Sequence, residues 1–309
     1  MTGLGDRVWR GTTTLAALAI PASLGVISVV LLVGAWPTLR ETGLALVLDR
    51  SWEPRSGAFG VAAALVGTLE TSLLAVLIAA PLGIGTALYT VEFAPTGVSR
   101  VLATICDILA AIPSVVYGLW GAAILVPLVR TVVAPALQAV GGRTPFFAGP
   151  SYGAGILTAA LLLALMILPF VTAVSREVIA AVPVAQREAA LALGATRWEM
   201  LRDAVLPAAK TGIAGGIALA LGRALGETMA VTMVIGNRHE LSWSLLAPGY
   251  TLASLLANEF GEAASDAHLS ALMAVALLLL LLVTLAVNAI ARRLVRTVRA
   301  GLAAVEVTR

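Results

Sequence analysis

Long apolar runs separated by short polar stretches organise this chain. Six runs are long enough to cross a bilayer as helices: about 12–36, 61–90, 101–129, 152–174, 211–236 and 269–291. A helix rises 1.5 Å per residue, so roughly 20 apolar residues cover the hydrocarbon. The pattern predicts an all-α integral membrane protein with six transmembrane helices. No low-complexity linker or internal repeat divides it, so 1–309 reads as one transmembrane domain. Pro81, Gly83 and Gly85 mark a place where the long second span bends or tilts. The stretch 37–60, with Trp52, reads as a segment at the membrane surface, and 130–150 and 237–268 as loops.

One polar segment stands out between the fourth and fifth runs: REAALALGATRWEMLRDAVLP, residues 187–207. It punctuates itself as two short helices spanning 183–207. Pro183 suits a first helical turn, Glu188 lies early in that helix, and Gly194 supplies the left-handed residue that ends it. Thr196 and Glu199 have the spacing of a capping box, and Pro207 is expected to stop the second helix. Two readings stand. The segment is either a capped hairpin resting on its own membrane domain or a docking element for a soluble partner, with Trp198 as an exposed apolar group.

Composition agrees with the run pattern. The 309 residues are 60% hydrophobic and 12% charged, with mean hydropathy +0.98, far more apolar surface than a soluble core of this size requires. A net charge of +3 gives no reason to invoke nucleic acid. The single cysteine, Cys106, sits in an apolar setting and reads as a packing residue. Arg7 and Arg10 precede the first run in the manner of a signal peptide, but the run is too long for one and reads as the first membrane helix. With both termini in the cytoplasm, thirteen Lys and Arg face inward and six outward, Arg143 among the six and Arg309 among the thirteen. That bias predicts a multi-pass protein of the bacterial inner (plasma) membrane with both termini cytoplasmic.

Charge inside a span changes the picture further. Arg223 lies 13 residues beyond Lys210, roughly 20 Å along a helix and near mid-membrane. Glu227 follows four residues later, so on a continuous helix both face one way. Each charge at the bilayer centre costs about 2.5–3.5 kcal/mol on insertion scales, so the pair is expected to face protein or water. It is either a salt bridge fixing helix packing or an anion path in which Glu227 competes with cargo for Arg223. Ser114 and Tyr117, after Pro113, either pack or offer a polar, kinked wall to the path, and Asp107 is the acid preceding them in the third span. Glu70 occupies a position where an apolar residue is expected and receives no role. Gly222 and Gly226, extended by Gly212, Gly215 and Gly216, offer a small surface for close helix approach. No nucleotide-binding loop, metal motif or nucleophile–base arrangement occurs, and His239 and His268 read as ordinary surface residues.

The order Glu188-Ala189-Ala190, Gly194, Leu206-Pro207 resembles the EAA loop of ABC-importer permeases, with Ala204 where Ile is usual. SWEP at Ser51, EFAP at Glu92, IPSVVYGLWG from Ile112 and GRALGETMAVTMVIGN from Gly222 are similar to the PstC permease family of phosphate importers. The resemblance implies a type I ABC importer permease fold whose coupling-helix loop, through Glu188, Ala189, Ala190, Gly194, Thr196, Trp198, Glu199, Leu206 and Pro207, seats in a cytoplasmic ATPase. It implies a PstA-like permease as heterodimer partner, two ATPase copies that carry ATP and Mg, and an extracytoplasmic phosphate-binding protein. Such a chain has no cofactor or metal of its own and makes no chemical bond. A permease for another oxyanion and a proton-coupled secondary transporter are the alternatives.

Overall fold

The computed structural model describes residues 4–141, 144–263 and 265–307; Arg143 and Arg309 lie outside them. In chain order come α1 (Leu4–Thr42), a hairpin of β1 (Trp52–Glu53) and β2 (Ala58–Phe59), and then α2 (Ala62–Phe93) and α3 (Thr96–Ala111). Helices α4 (Ser114–Gly141), α5 (Ile156–Ala180), α6 (Val184–Ala192), α7 (Arg197–Leu225), α8 (Leu252–Glu259) and α9 (Asp266–Val307) follow. Six of them, α1, α2, α4, α5, α7 and α9, are long and apolar enough to cross a membrane.

Two expected spans are corrected. The third is not one helix over 101–129. Proline disfavours a helical conformation in the residue before it, and Ile112 is accordingly extended at ψ 127°, which ends α3 and lets α4 start at Ser114. Helix α4 then runs to Gly141, so Arg130 lies on a π turn (Val129–Val133) within it rather than in a loop.

The fifth span starts at Arg197 and finishes at Leu225, short of the expected 236. Pro207 does not stop it. Proline lacks the N–H that would bond the fourth carbonyl back and crowds that carbonyl with its ring. A π turn over Leu201–Val205 re-spaces the carbonyls just ahead of Pro207, and the helix continues. The chain leaves the helix at Gly226, where ψ is 0°.

Helix α2 packs against α5, and α7 packs against both. Glycines set these approaches: a Cβ at Gly83 would meet Val171 at 2.9 Å, one at Gly212 would meet Val178 at 2.5 Å, and one at Gly216 would meet Val174 at 2.8 Å. Helix α1 leans on α9, where Thr38 and Ser270 hydroxyls hydrogen-bond at 3.0 Å, and leaves most of its length exposed, as a lipid-facing helix does.

Past α7 the backbone makes a single helical turn (Met229–Thr232) and then runs irregularly. Non-helical backbone at membrane depth must be satisfied by protein. The carbonyls of Val234, Ala247 and Leu245 accept from the Gly155, Ile156 and Leu157 amides at 3.0, 3.1 and 2.8 Å, so the stretch also satisfies the N-terminus of α5. At this end the SWEP segment forms the hairpin: Trp52 is buried, edge-on to Phe59 at 5.4 Å. His268 is buried and His239 half-buried, rather than both lying on the surface. His239 and His268 both pack against Trp52, at 6.2 and 6.0 Å, and His268 is 4% exposed with Nε2 3.3 Å from Glu259.

Candidate functional site

At the opposite end of the bundle the polar segment folds as α6 and the first turns of α7. Pro183 is the N-cap of α6, and Gly194 takes φ +86°, a conformation that costs glycine nothing. The capping box forms: the Glu199 amide donates to Thr196 Oγ1 at 3.3 Å, and the Thr196 amide donates to Glu199 Oε2 at 2.8 Å. Glu188 and Ala189 point outward, while Ala190 and Leu206 pack on a buried cluster of Ala87, Ile179, Val182, Met200, Leu201 and Val205. Leu193 and Trp198 stand exposed at 90% and 60%, an apolar protrusion flanked by charge. Because α7 is unbroken, the second helix of the hairpin and the helix bearing Arg223 are one rigid rod of 29 residues, about 42 Å long.

Arg223 sits in the last turn of that rod and is exposed on the subunit surface. The unbonded carbonyls of a helix C-terminus favour a cation by about 0.3–1 kcal/mol, less than the insertion cost, so Arg223 requires water or a polar neighbour on its open side. Glu227 does not share its face, because the helix ends between them. No hydrogen bond or ion pair joins the two; instead Glu227 Oε1 accepts from the Ala230 amide at 3.4 Å.

Tyr117 is buried, lies within electrostatic range of Arg223, and donates its hydroxyl to the Leu109 carbonyl at 2.9 Å. It therefore braces the Pro113 break from within the cluster. Ser114 is half-buried at the first position of α4. Asp107 is exposed on α3 and lines a separate cleft with Thr86, Cys106, Thr172 and Arg176. Glu70 edges an apolar groove formed by Leu73, Leu77, Phe146 and Leu245.

The IPSVVYGLWG and GETMAVTMVIGN motifs pack on each other. A Cβ at Gly118 would lie 2.6 Å from the Met233 sulfur and 3.1 Å from Ala230, and one at Gly121 would lie 3.0 Å from Val234. IPSVVYGLWG and GETMAVTMVIGN thus form one wall beside Arg223. Sequence reading missed this mutual contact and also missed Arg187, which bonds to the ends of α2 and α5, and Arg176, which lines the cleft beside Asp107. Among the described residues no group of three or more His, Cys, Asp or Glu is placed to hold a metal.

Residues 79–300 match the family described as binding-protein-dependent transport system inner membrane component. The fold is that of solved ABC-importer permeases. The bacterial alginate ABC transporter in complex with alginate pentasaccharide-bound periplasmic protein superposes with TM-score 0.60 over 92% of this chain and 96% of that one, at 18% identity. The inward-facing MetNI methionine transporter gives 0.57 over 79% and 98%, also at 18% identity.

Sequence relatives are more specific. The chain is 42% identical to the phosphate transport system permease protein PstC of Mesorhizobium japonicum, covering 94% of this chain and 89% of the relative. It is 42% identical to that of Pasteurella multocida (92% and 89%) and 39% identical to the probable PstC of Methanocaldococcus jannaschii (83% and 82%). The chain belongs to the PstC family of ABC-importer permeases.

Proposed function

We propose that this subunit carries inorganic phosphate inward past Arg223, driven by an ATPase that grips the α6–α7 hairpin. The hairpin end and both termini face the cytoplasm, as the charge bias requires. A PstA-like permease completes the path, two copies of the ATPase supply ATP and Mg, and an extracytoplasmic phosphate-binding protein delivers cargo at the β-hairpin end. The chain itself makes and breaks no bond; it alternates access.

One observation carries the reading: an exposed arginine at the broken end of a helix whose other end is the capped hairpin. Movement of the hairpin is delivered along α7 to Arg223 with no flexible joint between. The planar guanidinium presents paired donors to phosphate oxygens, and its open side is the subunit surface that a second permease covers. Glu227, released from the Arg223 face by Gly226, pairs with that arginine only if the break reorganises during the cycle. Asp107, Ser114 and Tyr117 shape the path around it. Glu188, Ala189, Ala190, Gly194, Thr196, Trp198, Glu199, Leu206 and Pro207 build the coupling contact.

The test is uptake of labelled phosphate by liposomes holding the four-component importer, with sulfate as competitor and an ATPase-inactive control. ATP-dependent accumulation that sulfate does not suppress supports the proposal. Accumulation driven by a proton gradient without ATP makes the protein a secondary transporter, and equal suppression by sulfate makes it a broader oxyanion permease.

A further inference from the structure

Arg187 immediately precedes the outward-pointing Glu188, yet its own side chain turns inward and is only 15% exposed. Its Nε donates to Glu92 Oε1 at 3.0 Å, its Nη2 donates to the Ile179 carbonyl at 2.7 Å, and its Nη1 donates to the Val182 carbonyl. The three acceptors belong to two different elements. Glu92 lies in the π turn (Tyr89–Phe93) that ends α2, with its side chain 12% exposed. The Ile179 and Val182 carbonyls belong to the last turn of α5 and the residues just past it, where carbonyls outnumber backbone donors; the Ile179 carbonyl also accepts from the Val182 amide at 3.2 Å. Ile179 and Val182 are themselves buried in the cluster that seats Ala190 and Leu206.

A guanidinium is suited to this arrangement because its donors lie in one rigid plane and reach several acceptors at once; a lysine ammonium has the charge without the fork. Helix α6 has no buried residue of its own, so apolar packing holds it weakly. Arg187 is the charged tie between α6 and the ends of α2 and α5. Helix α7 needs no such tie, being continuous with the hairpin.

We propose that Arg187, with Glu92, is the positioning residue that transmits movement of α6 to α2 and α5, so that the coupling hairpin drives three membrane helices rather than α7 alone. This rests on the ATP-driven import proposed above. With the clamp broken, the ATPase still docks on the exposed face of α6 and still turns over, but α2 and α5 no longer follow.

The expected signature is therefore loss of coupling rather than loss of the complex. In the reconstituted importer, Arg187→Gln and Arg187→Lys each lower phosphate transported per ATP hydrolysed by about fivefold or more, with hydrolysis and subunit assembly within about twofold of the parent. Glu92→Gln, which keeps an acceptor oxygen, falls between them and the parent. The charge reversal Arg187→Glu with Glu92→Arg does not restore the ratio, because a carboxylate cannot donate to the Ile179 and Val182 carbonyls.

A second measurement does not depend on transport. Spin labels at Leu193 and Tyr89, in a Cys106→Ser background, report a narrow distance distribution in the unaltered complex and a broadened one in Arg187→Gln. An unchanged transport ratio together with an unchanged distribution overturns the clamp, as does a ratio fully restored by the charge reversal. A parent complex that accumulates no phosphate overturns the import reading instead, and the distance distribution then decides the clamp by itself.

Discussion

Tyr117 and Leu109 are joined across a proline break, the Tyr117 hydroxyl donating to the Leu109 carbonyl at 2.9 Å. The bond satisfies a carbonyl near the end of α3 and fixes the angle at which α4 leaves it. A tyrosine in this apolar stretch is therefore explained by what α3 lacks at its C-terminus as well as by proximity to Arg223. Tyr117→Phe removes the hydroxyl and leaves that carbonyl with only the longer bond from the Ile112 amide, at 3.4 Å, which costs about 1 kcal/mol of stability. Thermal unfolding of the detergent-solubilised complex checks this, with Tyr117→Phe expected to melt below the parent.

Gly212 and Gly215 lie on the same helix, three residues apart, yet they predict opposite outcomes. A Cβ at Gly212 would approach Val178 to 2.5 Å, whereas one at Gly215 meets nothing within 4 Å. Gly212→Ala is expected to destabilise by about 1–3 kcal/mol through overpacking against α5. Gly215→Ala gains helix propensity and stabilises by up to about 1 kcal/mol, unless the open space is where a second permease seats. Comparing the two variants as isolated subunit and as complex separates these effects.

The capping box predicts a local change at the α6–α7 hairpin. Thr196→Ala removes the side chain that accepts from the Glu199 amide and costs about 1 kcal/mol at the start of α7. Fraying is confined to the first turn, and the Arg223 end of α7 keeps its helix. Amide hydrogen exchange is expected to speed up over the turn after Thr196 and remain unchanged over 213–225.

Acidification loosens the hairpin end. His239 stacks on Tyr250 at 4.3 Å and on Trp52 at 6.2 Å, and burial holds its imidazole below the ordinary histidine range, partly opposed by Glu259. A depressed folded pKa means that the unfolded chain binds the proton more readily. The stabilisation is fully present above the ordinary histidine pKa and is lost as pH falls through the lower folded value. His268, Glu259, Glu262 and Tyr250 share this neighbourhood. Trp52 fluorescence is expected to shift as pH is lowered through that window, and His239→Phe to flatten the change.

The membrane spans and the hairpin were legible because their signals are local. Hydropathy marks any apolar run of sufficient length, and Thr196, Glu199 and Gly194 specify caps through neighbours within a few residues. What escaped depends on backbone conformations that the residue types leave open or on distant partners. The Leu201–Val205 π turn carries Pro207 through the helix, the Gly226 exit separates Arg223 from Glu227, and Trp52 gathers two histidines far apart in sequence. Proline was misread in both places: Pro113 breaks a run that hydropathy joined into one span, while Pro207 does not stop the helix it was expected to end. Arg187 was visible only as a charge in a polar segment, since Glu92 and the α5 carbonyls that define its role are brought to it by the fold.

The central claim is that cargo passes Arg223 under force delivered through the α6–α7 hairpin. The most direct measurement is ATP-dependent phosphate uptake by the reconstituted importer carrying Arg223→Gln, with ATP hydrolysis and subunit assembly recorded in parallel. Loss of charged hydrogen bonds predicts uptake reduced by about tenfold to a hundredfold, with assembly intact and hydrolysis continuing. Uptake at the parent rate in that variant would contradict the account.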